Sequence, residues 1–173
     1  MSDEPLTNPD WDLFTDGSSF INDGQRRAGY AVVTKGEVIE IQALSPGTLA
    51  QKAELIALTR ALQLSKGKKV NIYTDSKYAF MVAHAHGATW KETGLLTEGN
   101  KEIKYALEIL TLLQVVTELK SVTIMHFPGH QNTDSYIASG NRMADKAAKK
   151  AAKGPKFWGT LIAQLDLSQY DPS

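Results

Sequence analysis

Two strand-like runs end in aspartate, and that pair restricts the chain to few architectures. Residues 11–16, Trp11-Asp12-Leu13-Phe14-Thr15-Asp16, stop at Gly17-Ser18-Ser19, and residues 70–75, Val70-Asn71-Ile72-Tyr73-Thr74-Asp75, stop at Ser76. A helical pattern lies between them. Strands of one sheet that are joined through a helix run parallel by a right-handed crossover. Their C-terminal ends then lie side by side, which predicts Asp16 and Asp75 as neighbours. That position is the carboxyl edge, where open α/β sheets bind ligands.

The other elements fit that frame. Residues 27–34 and 37–44 read as strands around a Lys35-Gly36 turn, completing an antiparallel meander with 11–17. Apolar spacing predicts a helix over 49–65 that ends near Lys66-Gly67, followed by a strand at 69–74. Ser76 is the expected N-cap of a helix reaching His86-Gly87. Residues 100–117 repeat apolar positions at Ile103, Leu107, Leu110 and Gln114 or Val115, as a helix would. A strand follows at 121–127, then a loop from Pro128 to Gly140, then an Ala-rich helix over 141–153. The order predicts an α/β fold: a mixed five-stranded sheet, three antiparallel strands plus two parallel, with helices on both faces.

Two more acids join the pair. Glu54 shares a helical stripe with Ala57, Leu58 and Ala61, and Asp145 lies in the first turns of the last helix. Carboxylates at the edge of a core are destabilising unless they bind cations. Four that converge suit hard divalent metals, which take oxygen ligands. Any one of them alone reads better as an ordinary surface acid.

Composition narrows the alternatives. The 173 residues fit one domain with tails: 1–10 as a linker, 11–153 as the domain, 154–173 as a tail or linker. Residues 1–10 are polar and acidic, unlike a signal peptide, and no apolar run approaches the roughly 20 residues of a membrane span. There are no cysteines, so no disulfide and no Cys-based zinc site. His84 and His86 point apart on a helix, and Pro128-Gly129 separates His126 from His130, so no zinc site is expected. Nineteen basic residues balance nineteen acidic ones, so net charge gives no sign of a nucleic-acid partner. The distribution is uneven. Arg142, Lys146, Lys149, Lys150, Lys153 and Lys156 cluster near the end, which alone reads as a solvated helix face.

Five short motifs then occur in order: Thr15-Asp16-Gly17-Ser18, Gln51-Lys52-Ala53-Glu54-Leu55, Tyr73-Thr74-Asp75-Ser76-Lys77-Tyr78-Ala79, Pro128-Gly129-His130-Gln131 and Gly140-Asn141-Arg142-Met143-Ala144-Asp145. Through them the chain resembles the ribonuclease H domain of retroviral reverse transcriptases, and most closely the gammaretroviral, murine-leukaemia-type branch. The likeness covers about residues 11–153 and implies an RNase H-like fold. It implies an endoribonuclease that hydrolyses the RNA strand of RNA–DNA hybrids, giving 5′-phosphate and 3′-hydroxyl ends. Asp16, Glu54, Asp75 and Asp145 would hold two Mg²⁺ ions roughly 4 Å apart, with Mn²⁺ as a substitute. Asp16 would touch both ions, with Glu54 and Asp75 to one side and Asp145 to the other. His130 would match a loop histidine that relays a proton or aids product release.

The resemblance extends to substrate contacts. Gln51 matches a residue that hydrogen-bonds in the hybrid's wide minor groove, and Tyr78 one that contacts the DNA strand. Ser18 and Ser19 would offer contacts to the scissile phosphate. Asn141 would hydrogen-bond in the His130 loop region or cap the last helix. Leu49 stands where relatives often place Ser or Thr for a DNA-phosphate pocket, with Thr48 as a substitute. Residues 89–94 stand in place of a protrusion that relatives make strongly basic, and Trp90 within them is expected to pack. The isolated domain should therefore grip its hybrid less tightly than basic relatives do.

The resemblance also implies context: a polymerase domain upstream in one polyprotein, and the virion or host cytoplasm as the location. No membrane partner is expected, and the isolated domain should be a monomer. Phe157, Trp158, Leu161, Ile162 and Leu165 fit either a short docked helix or a linker toward a downstream viral protein such as an integrase. Two other readings stay open. One is a free-standing cellular type 1 ribonuclease H, the other a catalytically silent module that binds hybrids or partners.

Overall fold

The sheet is laid down by its first strand. The computed structural model describes residues 4–84, 104–127 and 135–153. Strand β1 (Trp11–Asn22) turns into β2 (Gln25–Val33), which pairs with β3 (Val38–Leu44). Helix α1 (Ala50–Leu64) leads to β4 (Val70–Thr74) and α2 (Lys77–Ala83). Helix α3 (Ala106–Glu118), strand β5 (Val122–His126) and helix α4 (Tyr136–Ala152) complete the described elements. The strand order is β3-β2-β1-β4-β5. β2 pairs antiparallel with both β1 and β3, and β4 runs parallel to both β1 and β5. The expected mixed five-stranded sheet is thus the observed one.

Strand β1 is longer than its sequence pattern suggested. Gly17-Ser18-Ser19 is not a turn: the strand pairs with β2 from Phe14↔Val33 through Asn22↔Gln25. The turn is Asp23-Gly24, where φ is 53° and 75°. Two successive left-handed residues make the tight hairpin whose twist matches its strands, and Asp-Gly is a favoured pair for it. The parallel pairing of β1 with β4 is shorter and ends at Thr15↔Thr74. Asp16 and Asp75 therefore both lie one residue past the last parallel pair.

Alternation along the strands divides the core in two. Leu13, Val32, Ile72 and Ile124 pack with Leu55, Leu58, Leu62, Ile109 and Leu112 of α1 and α3. Phe14, Ala31, Val33 and Tyr73 pack with Ala144, Ala147 and Ala148 of α4. Helices cover both faces, as expected.

Two helices depart from the expected limits. The last was expected to begin at residue 141 but starts at Tyr136, where Ser135 caps it by accepting from the Ala138 amide at 3.1 Å. Gly140 suggested a loop, yet it is helical for a packing reason. A Cβ at that position would lie 2.4 Å from the Phe14 ring, so the glycine lets α4 settle on β1. Asn141 is consequently a buried residue inside the helix, not its cap, and Asp145 lies in its third turn rather than its first. In α3 the buried face is Ile109, Leu112 and Leu113, whereas Leu107 is 75% exposed. The sequence there is apolar nearly all round, so periodicity could not select the face. Ser76 caps α2 as expected, accepting from the Ala79 amide at 3.0 Å. Among the described residues, no helix is long and apolar enough to cross a membrane.

Candidate active site

The site is assembled where the β1–β4 pairing stops. Asp16 continues β1 opposite Ala31 of β2 with no β4 partner beyond Thr74. Asp75 follows β4 directly and precedes the α2 cap. Glu54 arrives from above the sheet because α1 lies directly on Gly17. A Cβ at position 17 would sit 2.4 Å from the Ala53 carbonyl carbon and 2.5 Å from the Glu54 amide nitrogen. Only a hydrogen fits that gap, so Gly17 sets the height of Glu54 over the sheet edge. Ser19 reinforces the approach. Its hydroxyl donates to the Thr48 carbonyl at 2.7 Å, just before α1, and accepts from Arg26 Nη1 at 2.9 Å.

Asp16, Glu54 and Asp75 each present an oxygen, and these atoms all lie within 4.8 Å of one another. Burial drives the electrostatics. Asp16 is only 4% exposed. Its pKa is pushed up to about 12, first by loss of solvent, then by the charges of Glu54 and Asp75 and by hydrogen bonding with Glu54 and Asp145. Glu54 rises to about 8, chiefly through burial, while hydrogen bonds with Asp16 and the Gly17 amide partly oppose the rise. Without a cation, both shifts favour the protonated carboxyls, so the cluster resists full ionisation. Glu54 Oε2 is buried and has no hydrogen-bond partner. An orphaned carboxylate oxygen within an all-oxygen donor set fits a hard divalent cation, which would take the place of a proton.

Asp145 is not one of the three whose oxygens all lie within 4.8 Å of one another, but it borders them through Asp16. It is close enough to Asp16 to shift that group's pKa, and it pairs with Lys149 Nζ at 3.0 Å. The sequence reading noted Lys149 only as part of a basic run. The signal for its pairing was the i, i+4 spacing with Asp145, the favourable acid-first order on a helix. Gly17 was likewise missed as a residue that positions Glu54.

The expected substrate residues have mixed fates. Gln51 is exposed in the first turn of α1, one turn before Glu54. Ser18 is buried on β1 opposite Gly29, two residues beyond Asp16 and therefore on the same face. Tyr78 is half-buried against the larger core, and its hydroxyl pKa is raised by burial and by Tyr105 and Glu108. Asn141 is buried within α4. Thr48 is buried, and its hydroxyl proton goes to the Ser45 carbonyl at 2.7 Å; Leu49 opens α1 without a side-chain cap. His130, Trp90, residues 89–94 and the tail after residue 153 lie outside the described residues.

A mixed sheet that gathers one buried and two half-buried carboxylates from β1, α1 and the end of β4 at one edge defines a domain with an acidic centre suited to divalent cations. A family profile for RNase H matches residues 8–153, and the chain belongs to that family. It is 50% identical over 174 residues to a Pol polyprotein of Radiation murine leukemia virus (strain Kaplan), spanning 100% of this chain and 30% of that protein. It is 54% identical over 152 residues to the Gag-Pol polyprotein of feline leukemia virus, across 88% of this chain and 9% of that protein. The chain thus spans less than a third of these relatives. Among solved structures, the RNase H domain of PFV superposes with a TM-score of 0.69 at 26% identity, over 85% of this chain and 96% of that one. The foamy viral protease-reverse transcriptase in complex with RNA/DNA hybrid shares the fold, with a TM-score of 0.69 at 19% identity, over 88% and 22% of the two chains. The ribonuclease H class and the gammaretroviral likeness expected from the motifs are both borne out.

Proposed function

We propose that this chain is the nuclease domain of a retroviral Pol polyprotein and that it hydrolyses the RNA strand of RNA–DNA hybrids, leaving 5′-phosphate and 3′-hydroxyl ends. The observation that carries the reading is the group of Asp16, Glu54 and Asp75 oxygens within 4.8 Å, with Glu54 Oε2 buried and unpartnered. In this reading Asp16, Glu54 and Asp75 hold one divalent cation, and Asp16 with Asp145 holds a second. Divalent cations, Mg²⁺ or Mn²⁺, supply Lewis acidity at the phosphate and lower the pKa of a bound water.

The chain's own residues do the positioning. Gly17 lets α1 carry Glu54 to the sheet edge, and the two strand ends aim Asp16 and Asp75 at one point. Gln51, exposed one turn before Glu54, offers its amide to a 2′-hydroxyl in the minor groove. Ser18, on the Asp16 face of β1, contributes at the scissile phosphate. Tyr78 meets the DNA strand through whatever part of its half-buried ring stays open, and Asn141 acts from within α4 to hold the neighbouring loop. His130 moves a proton to or from the product phosphate near neutral pH. The upstream partner is a polymerase domain of the same polyprotein, which places the domain in the virion and the host cytoplasm. Identities of 50% and 54% to viral polyproteins support this reading over a free-standing cellular enzyme.

The test is cleavage of a labelled hybrid with Mg²⁺ or Mn²⁺ by the wild type and by Asp75→Asn. Metal-dependent cutting of the RNA strand, lost in the variant, supports the nuclease. Hybrid binding without cutting under both metals favours a silent binding module.

A further inference from the structure

The N-terminal segment meets the sheet at the two strands that lead to Asp16 and Asp75. Just before β1, the Asp10 amide donates to the Lys69 carbonyl at 2.6 Å, and the Trp11 amide donates to the same oxygen at 3.3 Å. The Asp10 carboxylate accepts in return from the Lys69 amide at 2.8 Å. Lys68 Nζ lies 4.9 Å from the centre of the Trp11 ring. Further along β4, Asn71 is 3% exposed in a strand that is buried throughout. A buried amide inside a sheet is costly unless its polar atoms find partners. Asn71 finds them in two places. Its Oδ1 accepts from the Leu6 amide at 2.7 Å, and its Nδ2 donates to the Leu6 carbonyl at 3.3 Å and to Asp12 Oδ1 at 3.1 Å. Asp12 is also its register partner on β1. One side chain thus joins residues ahead of the sheet to β1 and β4 together.

That junction bears on the acids through register. The β1–β4 pairing runs only from Trp11↔Val70 to Thr15↔Thr74, and both aspartates lie just past its end. Parallel pairing is slightly weaker per residue than antiparallel pairing. A slip of one residue would move Asp16 by about 3.3 Å against Asp75 and turn it to the other face. We propose that residues 6–10 are a strap belonging to the folded domain, and that Asn71, which grips it, is a positioning residue holding β1 and β4 in the register the acidic centre needs. This inference rests on the metal reading above and adds to it a remote support. Asn71 lies roughly 13 Å along the strand from Asp75, so it acts through the backbone and not by touching a cation. The family match begins at residue 8, inside the strap.

The test is Mn²⁺ titration of the full chain without substrate, read by melting temperature and by isothermal calorimetry. Asn71→Leu keeps the volume and removes the amide. Leu6→Pro removes the strap's donor to Asn71 Oδ1 at a half-buried position. Ile109→Val trims the buried face of α3, outside the strap. All three should lower the melting temperature. Asn71→Leu and Leu6→Pro should each raise the Mn²⁺ concentration for half-maximal response about three- to tenfold, the scale of one buried hydrogen bond. The double variant should raise it no further than Asn71→Leu alone, because both changes cut one link. Ile109→Val should leave that midpoint where it is. An unmoved midpoint in Asn71→Leu, or an equal shift in Ile109→Val, would overturn the proposal and leave the metal reading intact. Should Asn71→Leu not fold, an unmoved midpoint in Leu6→Pro overturns it equally. No response to Mn²⁺ in the wild type would overturn both.

Discussion

Helix α1 touches two acidic sites, and they are built in opposite ways. At one, Arg60 of α1 meets Glu40 of β3 with two charge-assisted bonds, Nε to Oε2 at 2.7 Å and Nη2 to Oε1 at 2.8 Å. Tyr30 donates a further hydrogen bond to the same carboxylate. The guanidinium, helped by Tyr30, holds the Glu40 pKa below its usual value despite partial burial, and burial with Glu40 beside it pushes the Tyr30 hydroxyl up to about 12. At the other site, six residues earlier on the same helix, Glu54 meets Asp16 and Asp75 within 4.8 Å, and its pKa rises to about 8, chiefly through burial. One carboxylate is neutralised by a cation the chain supplies. The other gathers three carboxylates, with Glu54 Oε2 buried and unpartnered, and suits the divalent cation proposed above. The contrast supports the proposal that the acidic edge is the functional one.

The largest effect should come from breaking the three-carboxylate site. Asp16→Asn and Asp75→Asn should each lower hybrid cleavage by ~10³-fold or more, the several kcal/mol that Lewis-acid stabilisation supplies. Arg60→Met should leave cleavage within about threefold of wild type, because its charge is used away from the centre. Cleavage assays at one metal concentration check both.

Next in size is the support beneath Glu54. Gly17→Ala should destabilise by about 1–3 kcal/mol through overpacking against the α1 backbone, and should lower cleavage by lifting Glu54. Urea unfolding with a hybrid assay separates the two effects. Arg60→Met should cost only about 1 kcal/mol, since the pair is partly exposed.

Stability against pH sharpens the comparison further, because the two sites carry opposite signs. The Glu40 pKa is depressed in the fold. Its stabilisation is present above the ordinary value of 4.5 and is lost as pH falls through the lower folded value. The Asp16 and Glu54 pKa values are raised. Their protonated forms favour the fold below 3.8 and 4.5, and that advantage is lost as pH climbs toward about 8 for Glu54 and about 12 for Asp16. The metal-free wild type should therefore lose stability between about pH 4 and 8, and Asp16→Asn should lose less. Thermal melts in chelator across that range are the check.

The sheet was legible because its signals are local. Period-2 runs, the Ser76 cap and the spacing of Glu54 on its helix are all readable without a partner. Adjacency of Asp16 and Asp75 followed from crossover handedness alone. What escaped depended on contacts between distant residues. Gly17 and Gly140 resemble breakers in sequence, but each is the hydrogen-sized gap through which a helix meets β1. That is why β1 continued to Asn22 and α4 began at Tyr136. The α3 face was unreadable because its apolar residues surround the helix, and packing chose Ile109 and Leu112 over Leu107. For the candidate site, the sequence pointed to four acids; the structure brings Asp16, Glu54 and Asp75 within 4.8 Å and pairs Asp145 with Lys149, which no local pattern could specify.

The most direct test of the central claim is the melting temperature of the wild type and Asp16→Asn, each in chelator and in excess Mn²⁺, near pH 7.5. The account predicts that Asp16→Asn is the more stable protein in chelator, by about 1–3 kcal/mol, because near pH 7.5 the wild type must take up a proton on folding that the amide does not need. It predicts that Mn²⁺ raises the wild type and leaves the variant nearly unchanged. A wild type that is more stable than Asp16→Asn in chelator and indifferent to Mn²⁺ would mean that the acids serve the fold rather than a cation, and would contradict the account.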